Sequence, residues 1–258
     1  MRREFRMVVV LRVLTRIGAA FLCATGLAAC VSGASADLVC ANTSREAPLT
    51  GSLKGNLTVP KNATCFLRAD VTGDVTAHEG SKVYVLEGSK ISGAFRAIGA
   101  SVVRFNMDDA PRVARGGANA APALIHVGGN LVVKESKLIG ESGIAATDVG
   151  GNLIIARNSD GGGIAGPASL GVCTPGFCRA ELAVKIAKSV KIKQNHISVA
   201  IANTSIGADL KCTSNDQVPV VMKSQGATGN LAIKGRRTGQ CEHMPEVVYT
   251  GARGKGAA

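Results

Sequence analysis

A five-residue pattern recurs along this chain: an apolar residue, any residue, Gly or Ala, Asn or Asp, then Leu or Val. It reads Leu53-Lys-Gly-Asn-Leu57, Val71-Thr-Gly-Asp-Val75, Val127-Gly-Gly-Asn-Leu131 and Val149-Gly-Gly-Asn-Leu153. It returns as Ile206-Gly-Ala-Asp-Leu210 and Ala227-Thr-Gly-Asn-Leu231, with a degenerate copy at Ile91-Ser-Gly-Ala-Phe95 and an eroded one at Ser189-Val190. The final apolar residues fall at 57, 75, 95, 131, 153, 190, 210 and 231. Most steps between them are near 20 residues or near twice 18, the signature of a stacked repeat rather than a single closed core.

The units read as strands. Val184 and Ile186, then Val190 and Ile192, then Ile197, Val199 and Ile201 alternate with polar residues, each run bounded by turn formers. Val75-Thr-Ala, Val83-Tyr-Val and Lys90-Ile-Ser repeat the rhythm between residues 74 and 93. Three short strands per unit describe one coil of a three-sided parallel β-helix. The expected fold is all-β: a single-stranded, right-handed parallel β-helix of about nine coils, a solenoid, with handedness taken from the rule for parallel crossovers. Coils about 4.8 Å apart make it on the order of 40 Å long.

Two interior columns follow from this register. Leu57, Val75, Phe95, Leu131, Leu153, Val190, Leu210 and Leu231 form the first, and Val59, Ala77, Ala97, Val133, Ile155, Ile192, Cys212 and Ile233 the second. The Gly and Asn before each marker are read as corner residues that accept left-handed backbone. Asn56, Asn130, Asn152 and Asn230 are placed to stack as amides. No GxxxxGK[ST] pattern accompanies these glycines, so they are not a phosphate loop.

Composition narrows the function. With 46% apolar but only 3% aromatic residues, the core is aliphatic. Sugar-stacking platforms and nucleobase sandwiches lack their material, and no nucleic-acid partner is expected. The net charge is +12. Residues 1–29 hold five Arg and one Glu, so the remainder carries 25 basic and 17 acidic side chains, an excess that favours anionic surfaces.

The N-terminus reads as an address. Arg2, Arg3, Arg6, Arg12 and Arg16 precede the apolar run Ile17 to Ala29, the layout of a secretory signal peptide over residues 1–36. Two processing sites stay open: a lipobox, Leu27-Ala28-Ala29-Cys30, that would lipidate Cys30, or cleavage after Ala36. Either way the chain is expected to be exported, to the periplasm, to the outer membrane as a lipoprotein, or outside the cell. Six cysteines lie beyond residue 36: Cys40, Cys65, Cys173, Cys178, Cys212 and Cys241. In an exported chain they read as disulfides, and six admit fifteen pairings. Their order suggests sequence neighbours, Cys40 with Cys65, Cys173 with Cys178 and Cys212 with Cys241. The β-helix domain is placed at 38–250, with a protruding loop at 158–181 and a flexible tail at 251–258.

With these repeats in view, the chain resembles exported bacterial β-helix proteins whose coils carry Gly-Asn-Leu corners. Ile206-Gly-Ala-Asp-Leu-Lys-Cys212 and Gly239-Gln-Cys241 look like the closing repeat of such proteins. The coil pattern is also similar to that of bactofilins, cytoskeletal polymers of short β-helices. The resemblance covers residues 50–241. Signal peptide and cysteines depart from the cytosolic bactofilins, so their polymer on a membrane's inner face is not carried over. Open solenoid ends need caps, and the two outer cysteine pairs are expected to supply them; poor capping would permit end-to-end self-association.

Chemistry-bearing residues are sparse. His78, His126, His196 and His243 fall on different coils, and no Gly-x-Ser-x-Gly or His-Glu-x-x-His motif occurs. No metal or cofactor is expected. Asp108 and Asp109, flanked by Arg104 and Arg112, are the local carboxylate candidate for the enzyme alternative, a β-helix polysaccharide lyase or hydrolase. Lys134, Lys191, Lys193, Lys211 and Lys234 fall at or near outward positions and would form a basic stripe for an anionic polysaccharide or envelope surface. The expectation is a non-enzymatic envelope or secreted protein with a structural, adhesive or anionic-polymer-binding role.

Overall fold

The computed structural model describes residues 37–106, 123–139, 141–161, 169–172, 183–224 and 231–249. Every regular element among them is a β-strand, and every strand pairing is parallel. No helix among these residues is long and apolar enough to cross a membrane.

One nine-stranded sheet, here the first wall, runs in chain order. Its strands are Leu38–Val39, Leu57–Val59, Val75–Ala77, Phe95–Ile98, Leu131–Lys134, Leu153–Ala156, Val190–Lys193, Leu210–Thr213 and Arg237–Gly239. The register sets Leu57 beside Val75, then Phe95, Leu131, Leu153, Val190 and Leu210, all buried. Seven of the eight expected markers therefore stack as read from the sequence. The second column holds equally from Val59 to Cys212.

The eighth marker is corrected. Arg237, not Leu231, pairs with Leu210, and Gly239 rather than Ile233 pairs with Cys212. Ala232–Ile233 instead pairs with Thr204–Ile206 in the other large sheet. The last corner is thus Ile233-Lys-Gly-Arg-Arg237, which copies the backbone path of Ile206-Gly-Ala-Asp-Leu210 with different letters.

That other sheet has fifteen strands and makes two further walls, joined at the eight-residue strand Thr64–Val71. Thr64–Leu67 pairs with Lys82–Val85 and opens the second wall, while Asp70–Val71 pairs with Lys90–Ile91 and opens the third. The second continues through Val102–Phe105, Glu141–Ile144, Ser169–Val172, Ser198–Ile201, Val220–Ser224 and Glu246–Tyr249. The third continues through Ile125–Val127, Thr147–Val149, Val184–Ile186, Thr204–Ile206 and Ala232–Ile233. Three walls visited in turn, each strand parallel to its predecessor, are consistent with a parallel β-solenoid. Valine, isoleucine and leucine from all three fill the interior, and Phe95 meets Phe105 edge to face at 4.8 Å. Each fully buried aliphatic side chain is worth about 1.5–3 kcal/mol.

Corner glycines have a different cause from the one expected. Gly128, Gly150 and Gly207 are not among the positive-φ residues; a Cβ there would come within 2.3, 2.4 and 2.1 Å of a carbonyl oxygen on the preceding coil. Close approach of stacked backbones, not left-handed geometry, demands Gly at these points. Only the first copy follows the expected rule, with Gly55 at φ 109. The Asn and Asp of this corner cap backbone instead. Asn56 Oδ1 accepts the Asp74 N–H, Asp74 Oδ1 accepts the Ala94 N–H, and Asn152 Oδ1 accepts the Ser189 N–H. Asn152 Nδ2 donates to Asn130 Oδ1 at 3.1 Å, and Asn230 lies outside the described residues.

Left-handed residues occupy the corner that leaves the first wall: Glu135, Arg157, Gln194 and Ser214, with φ of 53–55°. Each precedes a buried polar residue, Ser136, Asn158, Asn195 or Asn215. Asn158 Nδ2 donates to Asn195 Oδ1 at 2.9 Å, Asn195 Nδ2 to Asn215 Oδ1 at 2.9 Å, and Asn215 Nδ2 to Gln240 Oε1 at 2.9 Å. The same amides also donate to the carbonyls of Val133, Ile155 and Ile192. Buried amides survive only when paired, and these are paired on every side.

Two disulfides lie at the ends of the first wall. Cys40 follows the terminal strand Leu38–Val39 and bonds Cys65 on the second wall; Cys212 bonds Cys241, just past Arg237–Gly239. All four cysteines are buried. Cys173 and Cys178 lie outside the described residues, as do residues 1–36 with Cys30, and 251–258. Of the segment 158–181 expected to protrude, Asn158 belongs to the amide ladder, Ser159–Asp160 pairs with Lys137–Leu138, and Ser169–Val172 is a second-wall strand. Gly161 donates its N–H to the Leu138 carbonyl, and residues 162–168 and 173–181 fall outside the described residues.

Candidate anion-binding surface

Alternation along a strand sends every second residue of the first wall outward. One outward row reads Thr58, Thr76, Arg96, Val132, Ile154, Lys191, Lys211 and Thr238. The next reads Ile98, Lys134, Ala156, Lys193 and Thr213. Cations therefore do not run the length of the wall. Its middle is apolar at Val132 and Ile154, and the lysines gather beyond it.

Pairing separates the expected stripe further. Lys134 Nζ sits 3.8 Å from Glu135, which also binds Arg157. Lys191, Lys193 and Lys211 are exposed and make no ion pair with a described carboxylate. Lys234 is not on the first wall. Its N–H donates to the Ile206 carbonyl in the corner between the third wall and the first. That same corner carries Lys188 and Arg236, both exposed, and Arg237 follows. These three were not singled out in the sequence, although Lys188 stands on the same coil as Lys191 and Lys193.

The resulting cluster comprises Lys188, Lys191, Lys193, Lys211, Lys234, Arg236 and Arg237. Within it stands one carboxylate, Asp209, whose Oδ1 caps the Arg236 N–H at 2.9 Å. Lys191 and Lys211 are direct partners in the parallel register. The floor between the charges is made of small residues, because Ala187 and Gly207 stack at one corner position and Ala208 and Gly235 at the next.

Several other charges neutralise one another across adjacent coils. Lys61 pairs with Glu79 at 2.7 Å, Lys223 with Glu246 at 2.6 Å, and Arg96 with Asp74. The Ala94 N–H and the Arg96 guanidinium hold the Asp74 carboxyl below its ordinary value. Hydrogen bonds from Arg157 and Lys61 do the same for Glu135 and Glu79.

Histidines follow the cross-coil pattern. His196 Nδ1 lies 2.7 Å from Asp216, and His126 Nδ1 lies 3.7 Å from Asp148. His126 stands on the third wall in a row with Asp70, Lys90, Asp148 and Lys185. His78 and His243 are exposed elsewhere. Asp108, Asp109 and Arg112 lie outside the described residues; Arg104 stands on the second wall beside Tyr84, which stacks on Phe66 with ring centroids 4.3 Å apart. Among the described residues no group of His, Cys, Asp and Glu is placed to hold a metal ion.

The two disulfides belong to the chemistry of an oxidising, extracytoplasmic compartment. The chain matches no protein-family model, no curated protein and no solved structure.

Proposed function

We propose that this chain is an exported bacterial envelope or secreted protein, built as a right-handed parallel β-helix of about nine coils, that holds an anionic polymer or envelope surface through its basic cluster. Handedness rests on the strong preference of parallel crossovers, and the coil number on the nine strands of the first wall. Export rests on the Arg-rich leader before an apolar run and on the two disulfides. The role is structural or adhesive rather than catalytic.

One observation carries the reading. Lys191 and Lys211 stand side by side without a described carboxylate partner, on a molecule that pairs Lys61, Arg96, Arg157 and Lys223 across its coils. Unpaired clustered cations raise the local concentration of anions by long-range attraction. The test is retention of the purified protein on an anionic polysaccharide across a salt series. Affinity that falls as salt rises supports the proposal, and affinity indifferent to salt removes electrostatics from it. Mass spectrometry of the mature N-terminus decides between an anchored form beginning at lipidated Cys30 and a free form beginning at Asp37.

A further inference from the structure

We infer that the partner of the basic cluster is a carboxylated polysaccharide whose chain crosses the corner between the third and first walls, an assignment that rests on the anion-binding reading above. Its first support is spacing. Lys191 and Lys211 occupy neighbouring rungs, about 4.8 Å apart at the backbone, and Lys191 and Lys193 lie about 6.6 Å apart along one strand. A homopolymeric polyuronate offers one carboxylate per sugar ring, and a ring is comparable in length to one rung.

The second support is relief. Ala187, Gly207, Ala208 and Gly235 line the corner, so a polymer backbone can lie against the wall between Lys188, Lys211, Lys234 and Arg236. No aromatic side chain stands among these residues, which removes the stacking that single-stranded nucleic acid uses. Among the described residues the exposed large apolar side chains, Val39, Ile139, Val218, Val247 and Val248, lie off this corner, and Val132 and Ile154 beside the cluster are half-buried, so no exposed apolar wedge is described there for a lipid bilayer.

The third support is energetic. Like charges directly opposite on neighbouring strands are destabilising, and Lys191 beside Lys211 is such a pair. A bound carboxylate removes that repulsion. The free protein is therefore less stable than it would be with one charge reversed, and the ligand recovers the difference.

The experiment uses purified mature protein at low salt and three polyanions at matched charge, polygalacturonate oligomers, oligodeoxythymidylate and phosphatidylglycerol vesicles, with neutral dextran as blank. Polygalacturonate is expected to bind tightest. Lys211→Glu should weaken that binding about tenfold while raising the thermal midpoint of the free protein. Lys191→Glu should repeat both effects. Lys82→Glu, an equal charge change on the second wall, should leave binding within twofold. Oligodeoxythymidylate or vesicles binding as tightly as polygalacturonate overturns the ligand class but leaves the anion-binding role standing. Failure of every polyanion overturns both. Equal losses from Lys211→Glu and Lys82→Glu overturn the site, since net charge alone would then explain binding.

Discussion

The side-chain amide of Asn195 donates to Asn215 Oδ1 across 2.9 Å, one coil further along, while Asn195 Oδ1 accepts two N–H groups from Asn158. All three residues are buried, so each rung of this column completes the hydrogen bonding of the next. A polar ladder thus runs beside the aliphatic core and fixes how coils are stacked.

Asn195→Ala removes the middle of that ladder: the Asn158 backbone N–H and side-chain amide lose their shared acceptor, and the Ile155 carbonyl loses a side-chain donor, all in a dry interior. The expected loss is about 3 kcal/mol or more, because buried polar groups left unpaired carry their full desolvation penalty. Asn152→Ala, at the half-buried opposite corner, should lose about 1 kcal/mol. Urea unfolding of the two variants measures the difference, and equal losses would remove the special status of the interior ladder.

Gly151 tests the close-approach account of the corners. A Cβ there would meet Asn130 Oδ1 at 2.5 Å and the Gly129 carbonyl at 2.6 Å. Gly151→Ala should cost about 1–3 kcal/mol through overpacking. Adding Asn130→Ala should recover part of it, and a double-mutant cycle reads the coupling directly. Strict additivity would place the strain elsewhere.

Removal of the C-terminal disulfide by Cys212→Ala with Cys241→Ala should lower stability by about 2–4 kcal/mol, as expected for a crosslink closing a loop of sequence separation 29. Replacing Cys40 and Cys65, separation 25, should cost a similar amount. Native-state hydrogen exchange should show each loss concentrated at its own end of the first wall, because coils contact only their neighbours.

Acid stability should depend on Asp74. Its carboxyl is held below the ordinary value first by the Ala94 N–H at 2.8 Å and then by Arg96. A depressed folded value means that the unfolded chain takes up the proton first. The contribution is therefore complete above the unfolded carboxylate value of about 3.9 and fades as pH falls through the folded value. Solvent screening of this half-exposed pair keeps it below about 1 kcal/mol. Asp74→Asn keeps an acceptor for the Ala94 N–H, as Asn56 does for Asp74, so it should flatten the stability profile at acid pH with little change at neutrality. An unaltered acid slope would remove Asp74 from the linkage.

Much of the interior was legible because a solenoid writes its core into the sequence at near-constant intervals. Leu131 and Leu153 look alike and stack alike. Leu231 looks like them but does not stack with Leu210; among the described strands the last rung of this wall has one neighbour, so its marker position is not buried between two coils. Arg237 serves there, exposed. The same shift explains Lys234. Counting from residue 231 gives it the offset of Lys134 and Lys193, whereas the backbone puts it in the corner. The Asn158–Asn195–Asn215 ladder went unread although its members stand five residues after markers 153, 190 and 210. Asparagine beside a turn suggests solvent, and only the stacked backbone reveals that these face inward.

Pairing of Val190 with Leu210 makes the chain between them one interchangeable storey. Excising Val190 through Asp209 would seat Leu210 opposite Leu153 and Asn215 beneath Asn158, keeping the apolar marker column and the amide ladder continuous. Length in such a molecule is a modular property: duplication or loss of a single storey would alter its reach by a fixed increment and leave both crosslinked ends as they are.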